Sequence, residues 1–185
     1  MKTIIFLSGF ALPNIISKSS LFFDRNFWSN YNTIFYKSKI PISDSMVNQE
    51  IESLTKLTNQ YVVNDLVVVG HSLGAWWAAN LACNPDFKAN KLALWTPLGI
   101  ANMFPIFLSS NKSEPLFKTP NINNIGINNT TVIYAKYDLI VPYQQHALPL
   151  IKMFKADSLC LNGGHAWQLD HKYGLTYLKN WINII

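Results

Sequence analysis

A chain of 185 residues is long enough for one domain that buries most of its apolar surface without disulfide staples. Hydrophobic residues make up 49% and charged residues 14%, which excludes global disorder, and no stretch reaches the roughly 20 apolar residues of a membrane span. The formal charge of +5 comes from 14 lysines and one arginine, Arg25, scattered without a basic run or an aromatic RNA-binding signature, which argues against nucleic acid as a partner.

In chain order, the opening MKTIIFLSGFALPNII places a lysine before an apolar stretch, as a secretory signal does. No small-x-small cleavage pattern follows, so a first β-strand over 3 to 8 is the expectation. Further β-rich runs lie at 33 to 38, 65 to 70, 91 to 95, 130 to 135 and 158 to 163. Helical periodicity fills the gaps. It is clearest over 44 to 60, where Met46, Ile51, Leu54 and Leu57 share a face, and recurs near 18 to 29, 72 to 83, 142 to 154 and 170 to 183. Alternating strands and helices imply crossover connections and a mostly parallel sheet covered on both faces. The predicted fold is α/β, a three-layer α/β/α domain of about six strands spanning residues 1–185. The polar, Asn- and Pro-rich run at 109 to 129 reads as a long loop inside that domain. Cys83 and Cys160 show neither metal-ligand spacing nor a disulfide framework, so free thiols in a reducing, cytoplasmic compartment are expected.

Chemistry concentrates at Gly70-His71-Ser72-Leu73-Gly74, a G-x-S-x-G pattern set directly after the most apolar strand and before a helix. A nucleophile elbow has this context: a tight strand-to-helix turn that exposes a serine hydroxyl, with glycines avoiding collisions on either side. The N–H of Leu73 then points to where an oxyanion would form. The plainer alternative is a glycine-flanked turn whose serine only caps the helix. A nucleophilic serine needs a general base and an acid to orient it. Of the four histidines, His71 lies in the elbow itself, His146 in an expected helix as a surface or satisfied residue, and His171 at the start of the terminal helix. His165 follows the last strand on a Gly163-Gly164 turn, at the sheet edge where Ser72 belongs, and is the expected base. Asp138, just beyond the penultimate strand, is the best-placed acid, since Asp65, Asp157 and Asp170 begin elements where capping explains an aspartate.

Ser72, Asp138 and His165 in that order and those settings resemble the α/β-hydrolase superfamily, over nearly the whole chain. The resemblance implies a second oxyanion donor after the first strand. Here that stretch is Ser8-Gly9-Phe10-Ala11 in place of the frequent His-Gly-x, so the donor would be the N–H of Phe10. Only about 35 residues separate Thr96 from Val132, which resembles the compact, nearly lidless carboxylesterases with a short cap or loop at about 97–128. In that segment Met103, Phe104 and Phe107, with Ala11 and Trp167 outside it, are candidate substrate-binding residues. The activity implied is hydrolysis of short-acyl carboxylic esters or thioesters of small molecules, with no metal or organic cofactor. The lysine excess also fits an acidic acyl carrier protein as partner, since the glycine settings are similar to those of carrier-protein methyl ester esterases of biotin synthesis. A hydrolase-like module that binds protein with little turnover is the reading from a different class.

Overall fold

The computed structural model describes residues 1–8, 26–37, 39, 43–97, 127, 129–165 and 171–184. Six strands, β1 (Thr3–Leu7), β2 (Asn32–Tyr36), β3 (Leu66–His71), β4 (Lys91–Trp95), β5 (Thr130–Ala135) and β6 (Asp157–Leu161), form one sheet in the order β2-β1-β3-β4-β5-β6. Every pairing is parallel. Four α-helices are described: α1 (Asp44–Thr58), α2 (Leu73–Ala82), α3 (Ala147–Phe154) and α4 (His171–Asn183).

A parallel strand covered on both faces is apolar along its whole length, because consecutive side chains point to opposite sides. In β1, Ile5 and Leu7 enter one core while Ile4 and Phe6 enter the other. In β3, Leu66 and Val68 part from Val67 and Val69 in the same way. The first core is closed by Leu54 of α1, by Leu73, Trp76, Trp77 and Leu81 of α2, and by Leu150 and Phe154 of α3. The second is closed by Leu175, Leu178, Trp181 and Ile182 of α4 and by Trp28. The three predicted layers are thus present, and each fully buried Leu, Ile or Trp adds on the order of 1.5–3 kcal/mol of burial to them.

Two predicted helices differ in extent. Residues 26–30, the described part of the segment expected to be helical near 18 to 29, form a turn. Its aromatic side chains serve packing instead of a helical face: the Trp28 ring lies 5.3 Å from Phe6 and meets Phe27 edge-on at 4.8 Å. The helix expected from 142 begins at Ala147, because residues 143–146 close as a turn in which the N–H groups of Gln145 and His146 both bond the Pro142 carbonyl. No helix among the described residues is long and apolar enough to cross a membrane.

The carboxyl end of α4 is tied down by lysines. Lys91 at the start of β4 donates from Nζ to the carbonyls of Trp181 and Ile184, both at 2.6 Å, and Lys2 donates to Ile182 O at 2.6 Å. These are carbonyls that a helix end leaves without intrahelical partners, at the end where its dipole favours a cation. The clamp sits at the sheet edge where strands begin, so α4 starts at the opposite edge, where the strands end.

Candidate active site

The order of strands reverses across β1 and β3, and the crevice outside the carboxyl ends at such a reversal is where parallel α/β sheets bind ligands. β3 runs into that crevice and turns at Ser72, whose φ of 54° and ψ of −118° lie outside the region L-residues favour. Glycines on both sides make the turn possible. A Cβ on Gly70 would collide with the backbone of Gly74 and Ala75, and one on Gly74 would collide with the carbonyls of Leu7 and Ser8 at the end of β1. Absence of side chains there lets the first turn of α2 rest on β1. The Ser72 side chain makes no cap hydrogen bond to α2, which removes the plain capping role. Its Oγ lies 2.8 Å from His165 Nε2.

Loops after β5 and β6 are zipped together at this edge: Lys136 N–H donates to Leu161 O at 2.8 Å and Tyr137 N–H to Gly163 O at 3.0 Å. The zipper sets Asp138 beside His165, with Asp138 Oδ2 2.7 Å from His165 Nδ1. The other carboxylate oxygen accepts the N–H groups of Ile140 and Val141, both at 2.9 Å, so the acid is fixed in orientation as well as position. Gly163, at φ 106°, supplies the turn that swings the chain from β6 toward the site. A carboxylate acceptor on Nδ1 places that nitrogen's proton toward Asp138 and leaves Nε2 free to accept from the Ser72 hydroxyl. Leu73, as first residue of α2, has an N–H without an intrahelical acceptor, at the positive end of the helix dipole beside Ser72.

The other three histidines surround this relay. His71 packs its ring 5.8 Å from that of His165, and burial together with His165 and His171 pushes its pKa down to about 3. Of the two settings expected for His146, surface or satisfied, its burial leaves the second. It caps α3 and is 1% exposed, with burial lowering its pKa against the opposing pull of Asp138. His171 opens α4 and leans on Trp95 at 5.3 Å, its pKa also lowered by burial. The thiol of Cys83 is pushed up to about 11 by burial, so it is no competing nucleophile.

Thr96 is a residue that sequence reasoning missed. The pairing of His71 with Trp95 continues one step further, where Ser72 N–H donates to Trp95 O at 3.0 Å, placing Thr96 beside the elbow. It adopts φ 38°, an outlier for a β-branched residue, and its buried Oγ1 has no hydrogen-bond partner among the described residues. Nothing in the residue type signals that conformation. A groove of about 1030 Å³ between α1 and the end of α2, lined by Ile51, Thr55, Asn80 and Cys83 among others, includes none of the three relay residues. It runs along α1 from Val47 to Asn59 and on to Lys88 beyond the end of α2.

Phe10, Ala11, Met103, Phe104, Phe107 and Trp167 lie outside the described residues, as does the segment at 98–126. Among the described residues no group of three or more His, Cys, Asp or Glu side chains could hold a metal ion.

No protein-family model matches the sequence, and no curated protein matches it. Solved structures do. The ydeN gene product of B. subtilis is 14% identical, with 100% of each chain covered and a TM-score of 0.69. MGS-M1, an α/β-hydrolase enzyme from a Medee basin deep-sea metagenome library, is 13% identical over 98% of this chain and 84% of its own, with a TM-score of 0.71. The thioesterase domain from the curacin biosynthetic pathway is 14% identical over 99% of this chain and 91% of its own, with a TM-score of 0.63. Together with the six-stranded parallel sheet, these likenesses establish that the chain has the α/β-hydrolase fold.

Proposed function

We propose that this protein is a serine hydrolase that cleaves short-acyl carboxylic esters or thioesters by acyl transfer to Ser72 and then to water. The observation that carries this reading is the unbroken chain from Ser72 Oγ through His165 to Asp138, at 2.8 Å and 2.7 Å. His165 Nε2 takes the hydroxyl proton as Oγ attacks the acyl carbon, and Asp138 holds the imidazolium that forms. The Leu73 N–H, with Phe10 N–H as the second donor, stabilises the oxyanion. His165 returns the proton to the leaving alcohol or thiol, and the same base then activates water to release the acyl group. The thioesterase domain among the structural neighbours is consistent with the thioester variant, because both leaving groups need the same base and oxyanion donors.

A purely protein-binding scaffold has no use for a strained serine held on a histidine base. Labelling with a fluorophosphonate decides between the two, since only an activated serine reacts quickly. Wild type should label and hydrolyse p-nitrophenyl acetate, and Ser72→Ala should lose both. Its kcat/KM should drop by a factor on the order of 10⁴ to 10⁶ while its circular dichroism is retained. A Ser72→Ala protein that keeps a tenth of the activity would remove Ser72 from the mechanism.

A further inference from the structure

A parallel sheet joined by helices sends all strand carboxyl ends and all helix amino ends to one edge, here the edge that carries Ser72, Asp138 and His165. The loop from 136 to 140 on that edge has an unusual surface. Asp138 is 5% exposed, yet Tyr137, Leu139 and Ile140 around it are 61%, 91% and 56% exposed. Holding Asp138 requires only main-chain groups of this loop: the N–H groups of Ile140 and Val141, and those of Lys136 and Tyr137 that bond the loop after β6. Polar side chains at 137, 139 and 140 would leave every one of those bonds intact. Among the described residues, the bonding of this loop therefore does not account for the exposed apolar side chains at 137, 139 and 140, and such a cluster marks an interaction surface.

Among the described residues, exposed charge on the same edge is mainly positive. Lys37, Lys136 and Lys172 are exposed there, while Lys39 is taken up in a 2.8 Å ion pair with the buried Glu50 and Asp44 stands exposed at the start of α1. Lys136 holds its ammonium 5.4 Å from the centre of the Tyr137 ring, so cation and apolar tip form one unit.

The geometry points to this edge as a docking surface for an anionic lipid membrane. Leu139 and Ile140 enter the boundary between headgroups and acyl chains, Tyr137 lies at headgroup level, and the lysines meet the lipid phosphates. A second copy of the chain fits poorly, because three side chains fall far short of the roughly 800 Å² that each partner of a stable interface buries. A protein partner would need a pocket shaped to this tip, whereas a bilayer receives a protruding aliphatic side chain without one. Docking in this pose turns the edge that carries Ser72 toward the lipid. That last consequence rests on the hydrolase reading, and the docking itself does not.

Flotation with unilamellar vesicles tests it, using Ser72→Ala protein so that no lipid is turned over and binding is scored apart from catalysis. Vesicles of phosphatidylcholine containing phosphatidylglycerol should carry the protein. Neutral phosphatidylcholine vesicles should carry much less of it, and high salt should release it. Leu139→Ser added to Ser72→Ala should weaken partitioning at least about tenfold, as expected for withdrawing a buried leucine side chain. Leu139→Ser in the wild-type background should hydrolyse soluble p-nitrophenyl acetate normally, which shows that it folds. Failure to float with anionic vesicles, equal binding to neutral ones, or anionic binding unchanged by Leu139→Ser would each overturn the proposal. So would tight binding of an acidic protein that Leu139→Ser abolishes while vesicles are ignored.

Discussion

At the scale of single residues, burial disfavours the charged form of three histidines around His165, the one that exchanges a proton in the proposed mechanism. His71 shows the effect most strongly: removal from water, with His165 and His171 nearby, lowers its pKa from the ordinary 6.5 to about 3. His146 and His171 move in the same direction through burial. Between those two pH values the unfolded chain binds a proton at position 71 that the folded chain does not. Stability is therefore highest above about pH 6.5 and falls as pH drops toward 3. Urea melts across that range should show the loss, and His71→Gln should flatten part of it. An unchanged slope in the variant would mean that the ring at 71 is not the group resisting protonation. The relay residues were legible because each stands at the end of a β-rich run, and a strand end fixes where a side chain emerges. The burial of His146 was not, because it depends on a turn anchored by the Pro142 carbonyl that carries no periodic signal. Thr96 was hidden for a similar reason: its positive φ is imposed by neighbouring strands and not by its own side chain.

At the scale of elements, the carboxyl end of α4 is held by β4 through one side chain, Lys91. Lys91 is 5% exposed, satisfies two carbonyls and lies 5.0 Å from the centre of the Trp181 ring, while burial lowers its pKa. Replacing it with methionine keeps most of the packing but strands two acceptors. Lys91→Met should cost about 2–3 kcal/mol and lower Tm by roughly 4–12 °C in a thermal melt. A shift below a degree would show that water replaces the ammonium freely. Helices with an apolar stripe were legible to within a few residues: α1 was expected over 44 to 60 and runs Asp44–Thr58, and α4 was expected over 170 to 183 and runs His171–Asn183. Of the segment expected to be helical near 18 to 29, only 26–29 lies among the described residues, and there Trp28 packs against Phe6 from a turn.

Across the whole molecule, stability should be graded from the sheet's middle to its margins. β1, β3, β4 and β5 are flanked on both sides by strands and buried along nearly all of their length, whereas β6 exposes Asp157, Ser158 and Cys160, and β2 exposes Asn32. Hydrogen–deuterium exchange should find the slowest amides in the four inner strands and faster exchange in β2 and β6. Slowest exchange in β6 would contradict this sheet order. The alternation of strands and helices made the parallel sheet legible without any knowledge of pairing, because crossover connections permit little else. The strand order was less accessible: only the return of β3 to the far side of β1 creates the crevice, and that choice depends on packing between segments distant in sequence.

The turn at Ser72 has one more consequence, which concerns selection. Its φ of 54° is a conformation that glycine adopts freely and serine adopts at a cost of about 1–3 kcal/mol. A library screened only for resistance to heat should therefore enrich glycine at 72, yielding proteins that melt later and hydrolyse nothing. A library screened for turnover should hold serine there against that gradient. Thermal tolerance and catalytic competence would then pull one codon in opposite directions.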